Sequence, residues 1–323
     1  MSEPDTLRDV LDQAESGAPA AGHAVRDIFS TDEIFRRIVA TADEEFQRSG
    51  RLLFLSGLAA GLSIGLSLLA RATMTAHAGG GDDAILIGNL LYPIGFLLIV
   101  LGRYQLFTEN TLTPVTLVMT RIASIPLLLR VWGIVLAANL TGAAIAALLF
   151  TKTSVMEAEA MEAAIKFGEH ALEYGWQTLF WKGLVAGWLV ASMVWIVHAA
   201  RETITRLFAI FLIMYLIPTA DLFHCIIGAC EVLMLVFNGQ AAIGELLHFL
   251  TAVVLGNTVG GVLLVAILNY AQTQVARFPD RDLEALRLSW REWLFGSAPG
   301  RPDLVPGSAA ALMQREAEAD KER

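Results

Sequence analysis

The stretch LLFLSGLAAGLSIGLSLLA, residues 52–70, runs for 19 residues without a charge. About 18 or more apolar residues wound as an α-helix cross the ~30 Å hydrocarbon layer of a bilayer. Working outward, comparable runs place six hydrophobic spans at about 52–70, 84–120, 128–150, 179–198, 207–237 and 241–268. Charged residues make up only 17% of the chain, against about 25% in water-soluble domains. The 323 residues therefore read as an all-α polytopic membrane protein with six transmembrane helices, and not as two soluble domains.

Ahead of the first span, Ser30 and Glu33 have the spacing of a capping box. Behind it Ile34, Phe35, Ile38, Val39, Ala42 and Phe46 share one helical face, which predicts an amphipathic helix lying against a membrane surface or another part of the protein. Net charge is −9, but the acid gathers in tails and loops, and no basic patch with interleaved aromatics supports nucleic acid binding. The polar first 50 residues have no short apolar core of the kind a cleavable signal peptide carries. Cys225 and Cys230 lie in an apolar segment and read as buried small side chains. Arg48, Arg51, Arg121, Arg130, Arg201, Arg206, Arg277 and Arg281 all border one side of the spans. The positive-inside rule then places both termini in the cytoplasm. From Gly296 onward the Pro/Gly/Ala-rich, charged composition reads as disordered, after an interfacial helix at Asp282–Leu294.

Spans two and five are too long for one crossing and carry polar residues mid-run. These are Arg103 to Gln105 and Thr108 to Asn110 in the second, and Pro218, Asp221 and His224 in the fifth. Hydrocarbon tolerates neither a charge nor an unpaired backbone group, so both spans are expected to be broken helices facing protein or a water-filled path. A weak internal repeat joins span n to span n+3. Gly57-Leu-Ala-Ala-Gly61 pairs with Gly183-Leu-Val-Ala-Gly187, Leu106-Phe107-Thr108 with Leu222-Phe223-His224, and Asn139-Leu-Thr-Gly142 with Asn257-Thr-Val-Gly260. Duplicating three spans inverts one half in the membrane, the plan of many transporters and channels.

At these breaks the sequence resembles the formate/nitrite transporter family. The motifs are Tyr92-Pro93-Ile94-Gly95 with Leu106-Phe107-Thr108-Glu109-Asn110, then His224-Cys225-Ile226, Gly256-Asn257 with Gly260-Gly261, and Gly183 with Trp195. The resemblance covers most of residues 50–270. It implies a homopentamer of aquaporin-like bundles, two inverted three-helix repeats each, with helices two and five broken. It also implies a central histidine between two apolar constrictions and small monovalent anions or their conjugate acids as solutes; protons are an expected partner, as channel or symporter, and no cofactor is expected. Carried over by position, Thr108 and His224 are the central polar pair and Asn257 is a polar lining residue. Tyr92, Phe96, Leu106, Phe107, Val190 and Ile217 form two apolar constrictions. The chain departs from the family pattern at Gln105, Ala171, Gly187, Phe223 and Gly228. Residues 1–50 would then be a cytoplasmic segment, 51–272 the transmembrane pore domain in the plasma membrane (a bacterial inner membrane), and 273–323 a cytoplasmic helix and tail.

The chemistry of those residues is consistent with such a role. A bare anion entering an apolar slit loses hydration worth many kcal/mol, and imidazole, with an ordinary pKa near 6.5, suits protonating or pairing it. Asp221, three residues before His224, is expected to orient the ring or take its proton. The bland alternative is a histidine satisfied inside a packed core. Arg103 and Glu109 read as a pair inside the bundle, with Glu109 facing a cytoplasmic vestibule as the alternative, while Glu231 reads either as a second proton station or as a contact to a neighbouring subunit. Glu245-x-x-His248 and Glu169-His170 have metal-ligand spacing but are too few for a site. No Asn-Pro-Ala triplet marks a neutral-solute channel, and no nucleophile–base set marks an enzyme. A membrane scaffold with a vestigial pore is the remaining rival.

Overall fold

The computed structural model describes residues 29–273 and 287–296, all helix, turn and connecting loop. The expectations for 1–28, 274–286 and 297–323 lie outside the described residues.

Helix α1 (Thr31–Gln47) begins where the sequence places it, with the Ser30 amide donating to Glu33 Oε2 at 2.7 Å and the Glu33 amide to Ser30 Oγ at 3.3 Å. Its apolar face buries Ile34, Phe35, Ile38, Ala42 and Phe46. Helix α2 (Gly50–His77) follows after the Ser49 cap and runs seven residues past the predicted end of the first span. The second span is not one helix. It is α3 (Asp82–Asn89), a turn through Pro93, α4 (Ile94–Gly102), an extended segment, a 3₁₀ turn at Glu109–Thr111, and α5 (Thr113–Met119). The long α6 (Ile125–Lys152) completes the first half.

A surface helix, α7 (Ala158–Leu172), joins it to α8 (Trp176–Ala199). The fifth span is α9 (Thr203–Thr219), interrupted after Pro218, then α10 (Cys225–Phe237). The sixth is α11 (Ile243–Gly261), which relaxes into a π-helical turn at Val262–Ile267 and ends as α12 (Leu268–Gln272). A last helix, α13 (Trp290–Phe295), rests on the foot of α5, where the Trp293 indole donates to the Val118 carbonyl at 2.7 Å. By length and composition five of these segments can cross a membrane: Gly50–His77, Asp82–Gly102, Ile125–Lys152, Trp176–Ala199 and Ile243–Gln272. Thr203–Thr219 and Cys225–Phe237 are apolar but shorter, because the break divides them.

The core is built from two tight helix pairs, α2 with α6 and α8 with α11. Small residues make the close approach possible. A Cβ on Gly61 would collide with the Asn139 carbonyl oxygen, and one on Gly187 with the Asn257 carbonyl oxygen. Gly187 thus faces the backbone of α11, where no side chain fits.

Both breaks have the same backbone course. Arg103 and Asp221, 118 positions apart, take the left-handed conformation (φ 57° and 53°) that ends α4 and α9. Arg121 and Gly239, again 118 apart, do so after α5 and α10. At that offset His224 falls opposite Leu106, whereas the match of the two Leu-Phe pairs in the sequence sets it opposite Thr108.

Candidate functional site

Extended backbone at the centre of an apolar bundle needs partners for its N–H and C=O groups. One asparagine in each half supplies them. Asn139 Nδ2 donates to the carbonyls of Gly57 (2.8 Å) and Gln105 (2.9 Å), while its Oδ1 accepts the Phe107 amide at 2.8 Å. Asn257 Nδ2 donates to Gly183 (2.7 Å) and Phe223 (3.1 Å), and its Oδ1 accepts the Cys225 amide at 2.9 Å. Asn257 therefore serves the backbone with both ends of its amide. Both amide hydrogens are spent on carbonyls, while the oxygen keeps one lone pair beyond the Cys225 amide.

The clamps bring the ends of the two breaks together. Thr108 Oγ1 and His224 Nε2 stand 2.7 Å apart, both side chains buried. His224 Nδ1 accepts the Ile226 amide at 3.3 Å, so it carries no proton, and the neutral ring is an Nε2–H donor. Thr108 then receives that hydrogen bond, and its own hydroxyl hydrogen has no acceptor among the described residues. Phe96 meets the imidazole edge-on at 5.1 Å between ring centres and stacks on Tyr92 at 5.5 Å. Leu106, Val190 and Ile217 are fully buried nearby in the core. Phe107 is buried too, but its ring packs against Trp132 at 5.9 Å.

Cavities open on both sides of this level. The larger, about 550 Å³, lies under α1 and is lined by Glu45, Arg103, Gln105, Glu109, Thr113 and His198 among others. The smaller, about 40 Å³, is reached by His224, Arg71, Tyr92, Asp221, Gly228 and Glu231.

Several expected partnerships fall elsewhere. Arg103 reaches Glu44 on α1 at 2.7 Å, while Glu109 lines the larger cavity, so the two do not pair. Asp221 lines the smaller cavity but does not orient the imidazole, whose two nitrogens are already engaged. It gathers instead the Lys182 ammonium, His170 Nε2 at 2.9 Å and the Tyr174 hydroxyl at 2.6 Å. The carboxylate holds the tyrosine proton, pushing the Tyr174 hydroxyl up to about 12. Lys182 thus neutralises Asp221 at the edge of the smaller cavity. His170 is committed to Asp221 and Glu173, and Glu245 caps the Ala242 amide; no metal-binding cluster occurs among the described residues.

Two features went unread in the sequence. Arg71 lies one residue beyond the first predicted span, yet α2 continues to His77 and buries it. The other is Glu45, on the buried face of α1, which accepts from Thr113 Oγ1 (2.8 Å) and Gln105 Nε2 (3.4 Å) and so ties α1 to the second break. A charge falling on the apolar stripe of an amphipathic helix was the available signal. Burial pushes the Glu45 carboxyl up to about 7, against the pull of those hydrogen bonds. The folded form then holds its proton more tightly than the unfolded chain, so between the ordinary carboxyl value of 4.5 and about 7 stability falls as pH rises. Glu45→Gln is expected to keep the Gln105 and Thr113 contacts and flatten this dependence. Amide exchange of α1 at pH 5.5 and 8 in both proteins is the check; equal pH sensitivity would contradict it.

Residues 32–271 match the formate/nitrite transporter family. Inner membrane protein YfdC of Escherichia coli is 34% identical over 255 residues, covering 78% of this chain and 82% of the relative. Formate channel FocA of Haemophilus influenzae is 24% identical over 252 residues, covering 70% and 88%. Among solved structures, an FNT family ion channel superposes with a TM-score of 0.65 at 20% identity, over 74% of this chain and 98% of that one. A pentameric formate channel with formate bound gives 0.58 at 23% identity, over 69% and 96%.

Proposed function

Because the chain belongs to the formate/nitrite transporter family, we propose that it carries small monovalent weak-acid anions, or their conjugate acids, past His224 and Thr108. One observation carries the reading: two separate helix breaks, each clamped by an asparagine, present a buried imidazole N–H and hydroxyl to each other at 2.7 Å, between two cavities. An imidazole N–H and a hydroxyl are the donors a small anion needs to replace its lost water. With Nδ1 occupied by the Ile226 amide, donation from Nε2–H comes first, and proton delivery requires that bond to open.

In this reading Phe96, Tyr92 and Ile217 narrow one side and Leu106, Phe107 and Val190 the other, so that the solute leaves bulk water before meeting His224. The architecture is six crossings in two inverted three-helix halves, supported by the matching asparagine clamps and left-handed residues. The pentamer named for the formate-bound neighbour is the assembly we assign, with Leu52, Leu129, Trp181, Phe208 and Leu212 among the exposed apolar residues available to neighbours and lipid. The basic flanks put α1 and the larger cavity on the cytoplasmic side of an inner membrane.

Liposomes holding the purified protein test the proposal with formate, acetate, lactate, nitrite and hydrosulfide at two pH values. Faster uptake of the smallest anions at the lower pH is expected. Vesicles sealed to the whole panel would favour a membrane scaffold with a vestigial pore.

A further inference from the structure

The smaller cavity contains an ion pair that the proposed pathway does not use. Arg71 on α2 and Glu231 on α10 are 160 residues apart, yet Arg71 Nη1 and Glu231 Oε1 stand 3.1 Å apart with side chains only 11% and 6% exposed. Burying such a pair contributes little to stability beyond what well-packed apolar residues would give. This one opens onto the space shared with His224.

The guanidinium is held from three directions that do not involve Glu231. Its Nε donates to Asn89 Oδ1 at 2.8 Å, its plane lies 3.7 Å from the centre of the Phe167 ring, and the Tyr92 ring is 5.9 Å away. The link to Glu231 is a single hydrogen bond, not a two-pronged fork, so Nη2 and Glu231 Oε2 are left over among the described residues. Arginine matches a planar carboxylate bidentately, and this one is pre-positioned to do so with any small anion that arrives. Gly228, on the same wall, offers no side-chain donor, which leaves Arg71 as the strongest one there. A volume of about 40 Å³ has room for a triatomic anion in place of a few waters.

We propose that Arg71 and Glu231 form an exchangeable anion site: a formate-sized monovalent anion takes the place of Glu231 on the guanidinium, and Glu231 takes up the proton that travels with it. The site rests on reading the chain as a weak-acid pathway. Charge balances throughout. The closed pair is neutral; after exchange the guanidinium faces the anion and the Glu231 carboxyl carries the one proton that entered with it, so the site stays neutral. Release of anion and proton restores the pair. The charged and titratable groups that share the cavity with Glu231 are Arg71 on α2, Tyr92 ahead of α4, His170 on α7, and Asp221 and His224 in the break. Cys230 is its neighbour on α10. Asp221 is already matched by Lys182. From α6, Lys152 is spent on the Phe237 carbonyl, and on α11 Glu245 and His248 are exposed.

Thermal unfolding of the full-length protein in detergent, with sodium formate against sodium gluconate at equal ionic strength, reads the site without transport. Formate is expected to raise the midpoint, and gluconate, too large for the cavity, is not. Glu231→Gln leaves Arg71 unpaired and is expected to lower the formate concentration giving half the effect at least tenfold. Arg71→Gln combined with Glu231→Gln removes both charges together, leaving no unpaired buried charge, and is expected to abolish the response. In liposomes Glu231→Gln should carry formate with fewer protons per anion than the wild type. A formate response that survives in the double variant, or an unchanged half-effect concentration in Glu231→Gln, overturns the exchange site. Flux without those shifts leaves the pathway standing and removes the site; the shifts without flux through the wild type do the reverse.

Discussion

Asn257→Ala is expected to abolish the folded protein, or nearly so, although the side chain touches no solute in the reading above. Its removal strands the carbonyls of Gly183 and Phe223 and the amide of Cys225 inside the bundle. An unsatisfied buried group costs about 1–3 kcal/mol, so three cost roughly 3–9 kcal/mol against a total stability of about 5–15 kcal/mol. Asn139→Ala strands Gly57, Gln105 and Phe107 in the same way and should fail equally. Asn257→Asp accepts from Cys225 but cannot donate to the two carbonyls, and should rescue little. Thermal unfolding and the monodispersity of the purified protein measure this. Alanine variants that melt with the wild type would mean that water enters the breaks and replaces the clamp.

His224→Leu and Thr108→Val should separate folding from passage. Each supports the fold far less than the asparagines do: Thr108 meets only the imidazole, and His224 adds one cap, to the Ile226 amide, worth about 1–2 kcal/mol. Both variants are expected to purify as folded protein. Formate flux should fall about 10–100-fold in His224→Leu, the equivalent of one hydrogen bond to a charged group at about 1.5–3 kcal/mol. The fall should be smaller in Thr108→Val, where Nε2–H remains to donate. Initial uptake rates in liposomes at matched protein density decide the matter. Undiminished flux in His224→Leu would make the imidazole a packed core group and remove it from the pathway.

Parts of this site could be seen in one dimension. A charge or a proline within an apolar run is conspicuous because hydrocarbon punishes both, and that alone located Pro218, Asp221 and His224. The cap at Ser30 and the buried stripe of α1 were equally plain, since each depends on residues three or four apart. Arg71 was lost because an apolar run is cut at the first charge, while the helix goes on for six residues more. The assumed Arg103–Glu109 pair failed because the left-handed turn at Arg103 sends its side chain toward α1, where Glu44 waits.

The amino-acid order by itself determined the number of apolar runs, their breaks and the amphipathic helix ahead of them, because each follows from the cost of putting particular groups in particular solvents. Only the folded chain decided which polar groups meet: Thr108 with His224, Asn139 and Asn257 with the backbone of their breaks, Arg71 with Glu231. Those meetings depend on how helices distant in sequence are rotated against one another. That rotation is set by close contacts such as Gly61 of α2 against α6 and Gly187 of α8 against α11; the four-residue glycine spacing allows a close approach but does not say which helix makes it.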